Sequence, residues 1–114
     1  MTRRAGPGDR WPPSKARIRA LIEEALVDAY GEEEQRTGFL TMLEEYLAVS
    51  FHAEILGIPV TVEQDQLTDD AQIVAICCRD RFRRRISILD LPLPRQVPAG
   101  AEWIEAYRAW ARAR

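Results

Sequence analysis

The stretch from residue 71 to residue 89, AQIVAICCRDRFRRRISIL, decides the fold. Ala71 to Arg79 is the most apolar strand-like run in the chain and is predicted to lie centrally in a sheet. Phe82 to Leu89 sets Arg83 and Arg85 against Phe82, Ile86 and Ile88 in imperfect alternation, which predicts a partner strand across a hairpin turn. Upstream, Phe51 to Leu56 and Val60 to Gln66 read as two more strands, with a break from Gly57 to Pro59. Leu67-Thr68-Asp69-Asp70 is a turn by composition.

Helical spacing takes over on either side of these strands. Ser14 is a natural N-cap, and Ile18, Leu21, Ile22, Ala25, Leu26 and Ala29 recur with the helical period, predicting a first helix over 15–30 that stops at Gly31. Phe39, Leu40, Leu43, Tyr46 and Leu47 mark a second amphipathic run. Gly38 weakens it, so two helices and one kinked helix both fit the pattern. Pro92, Pro94 and Pro98 end the sheet, and Trp103, Ile104, Tyr107, Trp110 and Ala111 form a short C-terminal helix with an aromatic face. The order predicts an α+β domain over 14–114: two N-terminal helices, a small, strongly curved antiparallel sheet of four to five strands, and a short C-terminal helix. Residues 1–13, rich in Arg, Gly and Pro, read as a flexible arm.

With 114 residues, 46% of them hydrophobic, the chain is long enough for one core. Its net charge of −2 conceals a block structure. From Leu21 to Asp70 acids crowd together, with Arg36 the sole arginine or lysine among them. Arg79, Arg81, Arg83, Arg84 and Arg85 come after it. Cys77 and Cys78 are adjacent, so in a strand they point to opposite faces and build no disulfide framework. That pattern, with no signal-peptide h-region and no apolar run of membrane-spanning length, leads to the expectation of a cytoplasmic protein without a membrane partner.

The same residues do not form a recognisable enzyme site. His52 is the only histidine, and no nucleophile, base and orienting group come together around it. Two cysteines are too few for a zinc site, and no glycine-rich phosphate loop is present. The arginine run suits a phosphate-tracking patch or a partner surface, but no stacking or groove-reading motif accompanies it, so nucleic acid is not the expected partner. Clustered hard oxygens suit Ca²⁺, which takes six to eight of them in loose geometry. An EF-hand loop is excluded: started at Asp65, it would place Ile76 where a bidentate Glu is required. The competing reading is a solvated acidic surface.

The stretch DAYGEEEQRTGFLTMLEEYLAVSFHA, residues 28–53, resembles the signature of the bacterial, cyanobacterial-type calcium-binding proteins, which are not EF-hands. Asp28, Tyr30, Glu32, Glu34, Gly38, Phe39, Leu43, Glu44, Glu45, Leu47, Phe51 and Ala53 stand in matching places. The resemblance implies a small α+β protein that binds Ca²⁺ reversibly as a buffer or sensor. Asp28, Glu32, Glu34, Glu44 and Glu45 would be its metal ligands, with Asp65, Asp69 and Asp70 as further acids. Two departures stand out: Gly31 replaces a family carboxylate, and Val49-Ser50-Phe51 replaces a Phe-Pro-Phe element. The alternative expectation is a non-catalytic module that holds a protein or nucleic acid through the Arg79–Arg85 hairpin or the aromatic C-terminal helix.

Overall fold

Ser14 opens the first helix, α1 (Lys15–Ala25), by accepting a hydrogen bond from the Arg17 N–H at 3.0 Å. The structure is a computed structural model and describes residues 11–68 and 72–114. Most of the arm expected over 1–13, and Asp69 and Asp70 of the expected turn, lie outside the described residues. The helix stops at Ala25, not at residue 30, and Asp28 takes up a left-handed conformation at φ 63°. The apolar period runs on through Leu26 and Ala29, so local pattern alone does not end the helix. Packing accounts for the stop: α2 (Glu32–Tyr46) passes so close that a Cβ at Gly38 would collide with the Ala25 carbonyl oxygen. Gly31, expected as a C-terminal stop, instead caps the start of α2 in an extended conformation. The two-helix alternative therefore describes this region.

The strands β1 (Phe51–Ile55), β2 (Ile58–Leu67), β3 (Ile73–Arg79) and β4 (Phe82–Ser87) form one antiparallel sheet in the order β1-β2-β3-β4. The expectation of a strongly curved sheet is corrected: among the described residues the sheet is open, with four strands and with β1 and β4 as free edges. Strong curvature needs repeated bulges or glycine kinks within strands. None of the four strands contains a glycine, and the β2–β3 register slips only once, between Val62 and Gln64. Two-residue connections close the β1–β2 hairpin at Leu56-Gly57 and the β3–β4 hairpin at Asp80-Arg81. Pro59, predicted as part of a break, lies inside β2. It is tolerated because β3 pairing begins only at Thr61, and the Pro59 carbonyl accepts from Arg79 Nη1 at 3.0 Å.

Alternate residues of β3, Ile73, Ala75 and Cys77, join Val62 and Ala53 in the core beneath the helices. Phe39 and Leu43 of α2 and Trp103, Ile104, Tyr107 and Trp110 of α3 (Ala101–Arg112) meet them. Phe39 lies edge-on to Tyr107, 5.5 Å between ring centroids, and 5.4 Å from Trp110. The aromatic face of the C-terminal helix is thus core, which removes it as a partner surface. Gly100 starts α3 at φ 87° against the end of α2, where any Cβ would strike the Tyr46 carbonyl. Arg108 donates from Nε to the Ile88 carbonyl at 2.9 Å and from Nη2 to the Leu91 carbonyl, tying α3 to the segment that leaves β4. No helix among the described residues is long and apolar enough to cross a membrane.

Candidate cation site

The acids of residues 28–34 are largely occupied by local structure. Glu32, Glu33 and Glu34 fill the first turn of α2, where the helix N-terminus favours negative charge. Glu34 Oε1 accepts the Tyr30 N–H at 2.8 Å, holding the turn that leads into the helix. Glu32 lies 2.9 Å from Arg114 Nε and 3.5 Å from Arg36 Nη1. The Arg114 hydrogen bond and then the Arg36 charge hold its carboxyl below the usual carboxylate range. Both guanidinium groups also lie over Trp110, at 4.9 and 5.3 Å from its ring centroid, so the protein supplies Glu32 with its own cations. Asp28 is exposed. Around Gly31 a Cβ would meet nothing within 4 Å.

Glu44 and Glu45, near the end of α2, face different surroundings. Glu45 stands against Tyr46 and, with burial and Glu24 of α1, pushes that phenol up. Tyr46 in turn stacks on Trp103 with 5.7 Å between ring centroids. Glu44 instead acts on Asp65 of β2.

Asp65 is the unusual group. Before the register slip, Val60 and Val62 point to the core; beyond it Gln64 pairs with Ile76 and Asp65 with Ala75, so Asp65 and Leu67 turn inward. Asp65 is half-buried, and its Oδ1 is sealed from solvent with no hydrogen-bond partner among the described residues. Burial, and then the Glu44 carboxylate, push its pKa up to about 6. A sealed carboxylate oxygen within reach of a second negative charge is a costly arrangement unless a proton or a cation joins it.

Comparison with family models, with curated proteins and with solved structures finds no match for this chain. Among the described residues, no three Asp, Glu, His or Cys side chains gather as a metal-holding group. Asp28, Glu32, Glu34, Glu44 and Glu45 therefore do not converge as one ligand set. Asp65, read from sequence as a further acid, is the one on which the charge of Glu44 acts across the packing of α2 on β2. The signal for this was faint but present: Val62 and Leu67 are both apolar and an odd number apart, so an unbroken strand cannot bury both. His52 stays on the exposed outer side, with Nδ1 3.4 Å from Thr61 Oγ1. Burial raises the thiols of Cys77 and Cys78 above their ordinary range, so neither is primed as a thiolate.

Proposed function

We propose that the chain is a cytoplasmic Ca²⁺-binding protein, a buffer or sensor, whose cation is anchored between Asp65 and Glu44. The observation that carries this reading is the sealed Asp65 Oδ1, which has no partner among the described residues and feels the charge of the Glu44 carboxylate. The pair fits a hard divalent cation: two carboxylates supply up to four oxygens, and carbonyls and water suit the remaining positions of a six- to eight-coordinate ion. With His52 on the outer side and both thiols raised, an oxygen-binding metal is favoured over zinc or copper. The resemblance of residues 28–53 points the same way, with Asp28, Glu32, Glu34 and Glu45 setting an acidic field around the helices.

Calcium titration by calorimetry, with melting temperature measured alongside, tests the proposal. At a hundredfold excess over Kd, Ca²⁺ stabilises the fold by about 2.7 kcal/mol. Asp65→Asn is expected to remove both the heat and the shift, whereas Asp28→Asn leaves them largely intact. A wild-type protein that gives neither signal at millimolar Ca²⁺ would sink the reading.

A further inference from the structure

We propose that the free edge of β4 takes up an acidic, extended peptide segment as a fifth strand. The Ile88 N–H donates to the Ile73 carbonyl at 3.0 Å, and this fixes the phase of the β3–β4 ladder. With the observed register, Ala75/Ile86, Cys77/Arg84 and Arg79/Phe82 are the pairs that exchange hydrogen bonds. The backbone N–H groups of Arg83, Arg85 and Ser87 therefore point away from the sheet. The Ser87 carbonyl is already used by the Asp90 N–H at 2.9 Å, and the Arg83 carbonyl receives Arg84 Nη1 at 3.3 Å. What the edge presents to a newcomer is chiefly a row of donors.

Charge selects the newcomer. Arg79, Arg81, Arg83, Arg84 and Arg85 make no ion pair among the described residues, though Asp80 at the turn, Glu63 beside Cys78 and Asp90 just past Ser87 are near. Arg83 and Arg85 share the outer face with Ile76, and a groove of about 460 Å³ lies there, lined by Gln64, Gln66, Ile76, Arg83, Arg84 and Arg85. A second copy of β4 pairing antiparallel would bring arginine strand against arginine strand, which is unfavourable. A strand with acids on one face and small apolar residues on the other reverses the sign, satisfies the outward N–H row and lays its side chains into the groove. Nucleic acid is the weaker occupant, because a row of strand-spaced amide donors is matched by a peptide backbone. This inference is independent of the cation reading.

Fluorescence anisotropy with a labelled peptide alternating Glu and Val tests it. The full-length protein is expected to bind this peptide, more tightly at low salt, and to ignore the matching Lys/Val peptide. In Arg83→Glu/Arg85→Glu the preference inverts: Glu/Val affinity falls by about tenfold or more and Lys/Val now binds. Strand addition also requires that backbone N-methylation of the Glu/Val peptide weaken it by a similar factor. Three results overturn the proposal: no binding of Glu/Val, equal binding of the N-methylated peptide, or tighter binding of an oligouridylate of the same charge. The inverted preference for Lys/Val reports that the double variant is folded.

Discussion

The helix-facing side of β2 and the outer edge of β4 each hold charge without a partner, but the two differ in what surrounds it. Arg83, Arg84 and Arg85 are exposed, so water solvates them and their repulsion is weak and screened. Asp65 Oδ1 is sealed, and there the absence of a partner is strongly felt. Solvated charge thus says little about stability and much about what approaches the surface. Buried charge couples the fold to protons and cations. A third case, Glu32, shows the fully answered state, with Arg36 and Arg114 both on it.

The contrast can be broken most severely at its answered end. Trp110→Ala removes the ring over which both arginines lie, its contacts with Phe39 and Tyr107, and the Nε1–H bond to Gln35 Oε1. The expected loss, measured by urea unfolding, is about 3–5 kcal/mol.

Next in size is the pH response of the cation-free protein. Asp65 titrates at about 6 in the fold, against an ordinary 3.8, so between these values the folded chain holds a proton that the unfolded chain has released. Stability therefore falls as pH rises from about 4 to about 6, by an amount on the order of 1–2 kcal/mol once partial solvent screening is allowed for. Asp65→Asn should flatten that slope and leave the cation-free protein more stable at pH 7. A slope unchanged by the substitution would place the titrating group elsewhere. Ca²⁺ added to wild type at pH 7 should recover the stability that the asparagine gives.

Smaller still is the effect of reversing the edge. Arg83→Glu/Arg85→Glu should shift unfolding by no more than about 0.5 kcal/mol per substitution, since neither side chain is buried or ion-paired among the described residues. A large loss would mean that these arginines hold the fold. The mildest test is Gly31→Asp, which adds an N-cap acceptor to α2 in open space, at a backbone conformation any residue adopts. A gain of a few tenths of a kcal/mol is expected.

These regions were unequally legible. Ser14 and the Ile73–Ser87 hairpin arise from local chemistry, a cap and a period, and were readable. The end of α1 was not, because Ala25 is stopped by the close passage of Gly38 in another helix. The pairing of Glu32 with Arg114 joins residues far apart in sequence, as does the burial of the C-terminal aromatic face against Phe39. The expectation of strong curvature erred for a related reason: short strands and covering helices do not bend a sheet strongly without glycines or repeated bulges inside the strands. Asp65 stood among the acids from the start, but its importance depends on a register detail that composition does not carry.

That detail makes β2 a strand read in two frames. Up to Val62 one set of positions faces the helices, and beyond Gln64 the other set does. Removing Glu63, the residue extra to the ladder, would merge the frames and leave Gln64 opposite Ile76 and Asp65 opposite Ala75, so the carboxylate would still face inward. The protein would keep nearly the same composition and the same strand order. A single-residue deletion at the slip should therefore straighten β2 while Asp65 keeps its raised pKa.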